Sequence, residues 1–85
     1  VPGGIKAETR QTMENIRTVL EAAGSSMDNI FKCTVFLADM AEYAPMNEVY
    51  ATFFPAAPPA RSAVAGSGLA LGARVEIECM ATAGP

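Results

Sequence analysis

Apolar and polar positions along the chain fall into distinct periods. After Val1-Pro2-Gly3-Gly4, which reads as a loop, Met13, Ile16, Leu20 and Ala23 stand at i, i+3, i+7 and i+10, one stripe of an amphipathic helix. The spacing predicts a helix over about Ala7 to Ala23. Gly24 follows where a left-handed C-cap is wanted, and Ser25-Ser26 continues the turn. From Ile30 to Leu37 the period shortens to two, with Phe31, Cys33, Val35 and Leu37 on one face and Lys32 and Thr34 on the other, which predicts a strand.

Asp39 and Glu42 have the spacing of a capping box, and beyond them Tyr43, Met46, Tyr50 and Phe53 repeat the helical stripe. Pro45 is tolerable near the start of that second helix, which is expected to run to Pro55. Pro58-Pro59 forces an extended approach to a short strand, Ala60 to Ala65, that runs into Gly66-Ser67-Gly68. A last strand, Arg74 to Ala81, alternates with Val75, Ile77 and Cys79 on one face and Glu76 and Glu78 on the other. The order helix, strand, helix, strand, strand defines an α+β sheet with its helices on one face. Three strands make a thin sheet for two helices, and the pattern suggests an N-terminal strand or hairpin lying ahead of this stretch.

Composition adds a demand for a partner. Eighty-five residues fit one small domain, which buries too little surface to be very stable alone. Two cysteines are too few for a disulfide scaffold, and without histidine there is no Cys/His set of the kind that holds zinc. An apolar fraction of 51% leaves surface that a subunit interface would bury. The net charge of -3, with only dispersed basic residues, argues against nucleic acid as a partner. No apolar run is long enough to span a membrane and no signal peptide is visible, so a cytoplasmic protein is expected.

Without histidine there is no Ser-His or Cys-His nucleophile pair, and neither glycine cluster matches a phosphate loop. Cys33 and Cys79 read as inert core residues. Two charges stand out. Arg61 follows Pro58-Pro59-Ala60, a stiff lead-in that would hold a guanidinium still enough to grip a carboxylate bidentately. Glu76 sits between Val75 and Ile77 in a strand otherwise suited to burial. A structural salt bridge between the two is the better account of them at this level, and Glu78 reads as part of a solvated sheet face.

Pro59-Ala60-Arg61-Ser62, followed by Gly72-Ala73-Arg74-Val75-Glu76-Ile77-Glu78, resembles the signature of the RidA (YjgF/UK114) family of imine deaminases. Leu20-Glu21-Ala22-Ala23-Gly24, Lys32-Cys33-Thr34-Val35-Phe36-Leu37-Ala38-Asp39-Met40 and Met46-Asn47-Glu48-Val49-Tyr50 resemble it too, in the same order and spacing. The resemblance spans residues 1–85 as a single domain and leaves out the family's N-terminal hairpin, which completes the sheet and supplies an aromatic residue and a Ser-Gly segment to the pocket.

The resemblance implies a chorismate-mutase-like fold assembled as a homotrimer with pockets at its interfaces, and hydrolysis of reactive enamines and imines of the 2-aminoacrylate type to 2-keto acids and ammonia. It implies no cofactor and no metal. Carried over, Arg61 binds the substrate carboxylate and Glu76 holds the attacking water. Asn47 matches a polar position near the pocket, where a helix-face hydrogen bond explains it as well. Ala63 stands where many members have cysteine, a position whose backbone carbonyl can serve the substrate. A different class of function fits the same residues: a non-catalytic trimeric module binding small carboxylates such as 2-keto acids. Ribonuclease activity, attached to some relatives, is disfavoured by the acidic balance and the absence of histidine.

Overall fold

The structure, a computed structural model, describes residues 3–55, 58–65, 69 and 72–83. Its elements are α1 (Gly4–Ala22), β1 (Ile30–Leu37), α2 (Tyr43–Thr52), β2 (Ala60–Ala65) and β3 (Val75–Ala81), with short 3-10 turns at Met27–Asn29 and Met40–Glu42. The strands form one mixed sheet in the order β2-β1-β3, with β2 parallel to β1 and β3 antiparallel to it. The expected α+β architecture is present. The Gly66-Ser67-Gly68 segment lies outside the described residues.

Helix α1 begins three residues earlier than its stripe predicts, because Gly4 at φ +75° starts the helix from a left-handed backbone open to glycine. Its buried side is Thr9 and Met13, with Ile5, Ile16 and Leu20 packed beside them. Ala23, which the spacing placed on that stripe, is exposed, since the helix has already ended at Ala22. The end closes as the sequence suggests: Gly24 takes φ +80°, its N–H reaches the Glu21 carbonyl at 3.1 Å, and the Ser25 N–H reaches the Leu20 carbonyl at 2.8 Å. These are the two bonds of a Schellman cap, which satisfy carbonyls left over at the helix end.

Strand β1 occupies the predicted span, but its first face is different. Phe31, expected beside Cys33, is 54% exposed while Ile30 is buried. A register shift between Ile30 and Lys32 against β3 inserts one residue, and an inserted residue moves everything on its far side to the opposite face. From Cys33 onward the alternation holds, and Cys33, Val35 and Leu37 are fully buried beneath Met13, Met46 and Tyr50. Truncating Leu37, Met13 or Met46 to alanine costs about 2–5 kcal/mol, because the close-packed site collapses only in part.

The expected capping box is divided. The Asp39 carboxylate accepts from the Ala41 N–H at 2.9 Å and so caps the Met40–Glu42 turn rather than α2. Glu42 instead bonds Arg74 at 2.8 Å, tying the entrance of α2 to that of β3. Pro45 is the third residue of α2, where its missing N–H is one the helix could not have used. The helix stops at Thr52, three residues short of Pro55.

The cysteines are not separate core residues, as their apolar settings suggested. The antiparallel register sets Cys33 directly opposite Cys79, their Cα atoms 4.1 Å apart, and the two form a disulfide. Both helices and this cystine lie on one side of the sheet. The other side carries Thr34, Ser62, Glu76 and Glu78, with Val64 and Met80 45% and 58% exposed.

Candidate functional site

Arg61 is the second residue of β2, entering the sheet after Pro58-Pro59 in register with Cys33. Alternation along β2 leaves Ser62 and Val64 exposed and turns Arg61 and Ala63 toward the helices. There the guanidinium meets α2. Tyr43, Asn47 and Tyr50 stand at i, i+4 and i+7 on that helix, one stripe facing one way. Arg61 Nη1 donates to Asn47 Oδ1, and Nη2 donates to the Tyr43 hydroxyl. Its Cζ lies 5.3 Å from the Tyr43 ring centroid and 4.8 Å from that of Tyr50, within range of cation–π attraction.

Tyr50 is 1% exposed, and its hydroxyl takes no partner among the described residues. Burial pushes its phenol above the ordinary value, partly opposed by the Arg61 cation, while Tyr43 adds a small further rise. Asn47, Tyr50, Ala51, Pro58, Pro59 and Arg61 line a hollow of about 270 Å³, the size of a few heavy atoms with their water. A fixed cation with N–H donors left uncommitted among the described residues, at such a hollow, can hold a small carboxylate.

Of the residues singled out by sequence, the structure brings Arg61 and Asn47 together and sets Ala63 on the same face, packed against the core. Glu76 is not with them. On β3 it stands opposite Phe36 of β1, its neighbours Val75 and Ile77 turn inward, and its exposed side chain belongs to the sheet's bare face. Arg61 and Glu76 therefore lie on opposite faces and opposite outer strands of this chain. Glu78 lines a separate hollow on the bare face with Lys32, Thr34 and Met80.

Tyr43 and Tyr50 fall on a stripe whose spacing predicts core, and both cradle Arg61. The signal was the polar Asn47 set within that stripe at helical spacing from each. Among the described residues no group of three or more Asp, Glu, Cys or His side chains gathers as a metal set, and no helix is long and apolar enough to cross a membrane.

The profile of a family described as Endoribonuclease L-PSP matches residues 1–83. The chain is 45% identical to the 2-iminobutanoate/2-iminopropanoate deaminase of Mus musculus over all of its 85 residues, covering 63% of that protein. It is 51% identical to a RutC family protein of Pyrococcus horikoshii, with 95% of the chain and 64% of the relative aligned. Among solved structures, yeast Mmf1 superposes with a TM-score of 0.94 at 41% identity, covering 98% of this chain and 66% of that one. Escherichia coli TdcF with bound serine superposes with a TM-score of 0.90 at 37% identity, covering 95% and 66%. The fold and the Arg61 strand thus define a RidA-type α+β protein. The chain belongs to the RidA family, and it spans somewhat under two thirds of the length of the curated relatives it matches.

Proposed function

We propose that this chain forms part of a hydrolase that converts reactive 2-imino or enamine acids of the 2-aminoacrylate type to 2-keto acids and ammonia. The observation that carries this reading is the Arg61 guanidinium, held by Asn47 and Tyr43 beside a hollow of about 270 Å³. Its support from outside the chain is the deaminase name shared by mouse, rat and bovine relatives at 42–45% identity.

In this reading Arg61 takes the substrate carboxylate in two charge-assisted hydrogen bonds and so fixes the position of the imine carbon. Water adds to that carbon while Glu76 takes one of its protons and passes it to the imine nitrogen, giving a carbinolamine; Glu76 then takes the hydroxyl proton and delivers it to the departing nitrogen. The C–N bond breaks, ammonia leaves and the carbonyl forms, so the proton count closes with no added group. Because an imine is already electrophilic, orientation and a held water supply most of the acceleration. In the same reading the backbone carbonyl of Ala63, two residues beyond Arg61 on the outer strand β2, serves the substrate.

Arg61 and Glu76 lie on opposite faces of one sheet, so the pocket needs two copies: Arg61 from one and Glu76 from the next. The bare face, with exposed Val64 and Met80 beside Phe36, is the apolar surface such an assembly would cover. A head-to-tail closed ring of three is the simplest arrangement that gives every copy the same two neighbours.

The test is a serine dehydratase reaction supplemented with the protein. Faster release of pyruvate and ammonia is expected, and Arg61→Ala should reduce the gain by about 100-fold or more, the scale of losing a charge-assisted anchor in a closed site. An unchanged rate with the parent protein would overturn the reading. Thermal stabilisation by 2-oxobutanoate without turnover would instead support a binding module for small carboxylates.

A further inference from the structure

We propose that Tyr43 is a positioning residue for carboxylate recognition: its hydroxyl, bonded to Arg61 Nη2, sets the direction in which the guanidinium presents its remaining N–H donors. The proposal rests on the reading of Arg61 as the carboxylate anchor and goes beyond it, since Tyr43 lines no part of the hollow and acts through Arg61 alone.

Three side chains of α2 hold the guanidinium, and they do different things. Tyr50 supplies a ring face at 4.8 Å, which attracts the cation but lets it turn within its own plane. Asn47 Oδ1 takes Nη1, a single bond about which the fork can still swing. Among the described residues, only the Tyr43 hydroxyl takes a second nitrogen. Two bonds to two different nitrogens fix the in-plane angle of a rigid planar fork, and one does not. Tyr43 also lays its ring 5.3 Å from the cation, so packing and hydrogen bonding are carried by one residue and can be separated by removing the oxygen alone. The stem of Arg61 cannot do this work, because a long side chain on an outer strand keeps its rotamer freedom unless something binds its end.

The position of Tyr43 makes the hold stiff. It is the first residue of α2, directly after Glu42, whose carboxylate is bonded to Arg74 at 2.8 Å. The hydroxyl is thus carried on a helix start that is itself anchored to the entrance of β3. A bidentate carboxylate needs both N–H vectors aligned at once, so an error in the angle of the fork weakens it more than it would weaken a single hydrogen bond.

The experiment compares the parent, Tyr43→Phe and Arg61→Ala by titration with 2-oxobutanoate and with butan-2-one, its analogue lacking the carboxylate. In parallel, the rotation rate of the Arg61 guanidinium is measured by nitrogen-15 NMR. Tyr43→Phe is expected to melt within about 2 °C of the parent, to bind 2-oxobutanoate roughly fivefold more weakly, and to leave butan-2-one unchanged, because the variant loses the direction of the fork and keeps its charge. The guanidinium should turn severalfold faster without any ligand present. In a turnover assay KM should rise while kcat holds.

If Tyr43→Phe changes neither rotation nor affinity while Arg61→Ala abolishes carboxylate binding, Arg61 remains the anchor and the positioning role falls. Equal loss of both ligands with a much lower melting temperature shows Tyr43 to be a packing residue, which also overturns the proposal. An Arg61→Ala chain that binds 2-oxobutanoate as well as the parent removes the anchor itself, and the role of Tyr43 goes with it.

Discussion

Arg61, Cys33 and Cys79 occupy one row across the three strands, yet the two ends of that row are held by different physics. At the β3 end a covalent bond locks Cys79 to Cys33 within the core. At the β2 end a charge is steadied by two hydrogen bonds and two aromatic faces, all from one helix. The covalent end has no freedom and no chemistry to offer a ligand. The polar end keeps donors uncommitted because its restraints are weak and directional. The frame is built on one side of β1 and the site on the other, so damage to each should register in a different measurement.

The largest effect expected is an all-or-none one. If the β2 end of one copy works with the β3 strand of the next, Arg61→Ala and Glu76→Gln should each be inactive alone. Mixed by co-refolding in equal amounts, they should regain about a quarter of parental activity, because a site drawing one residue from each of two neighbours is intact in one random pairing of four. No recovery would mean that both residues serve the same copy, and the opposite-face placement would then have to change on assembly.

Next in size is the covalent end. Closing a 46-residue separation in the chain restricts the unfolded state, and the chain-entropy account puts the gain at about 2–4 kcal/mol. Cys79→Ala, or a reductant such as dithiothreitol, should lower the melting temperature by about 10–20 °C at fixed protein concentration. Binding of 2-oxobutanoate at Arg61 should persist well below that transition. Loss of binding together with unchanged melting would break the separation of frame from site.

How far these two ends could be read in the sequence differs for a physical reason. The spans of β1 and β2 and the Schellman turn at Gly24 were legible because each is written in local residues: alternation, a stiff Pro58-Pro59 lead-in, a glycine after a stripe. Phe31 was misplaced because the bulge that exposes it is a property of the β1–β3 pairing, not of β1. The cystine was missed for the same reason: 46 residues separate its halves, and only the register makes them opposite. Arg61 was legible as a candidate, whereas its cradle was not. Tyr43, Met46, Tyr50 and Phe53 form a plausible core stripe, and nothing local says that Tyr43 and Tyr50 also meet a cation. The division of Arg61 and Glu76 between faces was half visible, since β3 alternates cleanly while Ala60-Arg61-Ser62-Ala63-Val64-Ala65 is too uniform in size and polarity to show which way Arg61 turns.

The smallest effect, and the finest test of the polar end, is at Tyr50. Its hydroxyl is buried and unpartnered among the described residues, so the folded state carries a desolvated group with little return. Tyr50→Phe keeps the ring under Arg61 and should be neutral or stabilising by up to about 1 kcal/mol near neutral pH. The pH dependence has a definite sign. Burial raises the phenol above its ordinary 10.0 in the folded chain, so above about pH 10 the unfolded state releases this proton while the folded state keeps it. Stability from this group is whole below that value and falls as pH rises through the folded one. Between about pH 9 and 11 the parent should therefore lose melting temperature faster than Tyr50→Phe, with every other titrating group common to both. Parallel curves would show that the hydroxyl finds water or a partner once copies assemble, and that the polar end of the row is wetter than its burial in one chain implies.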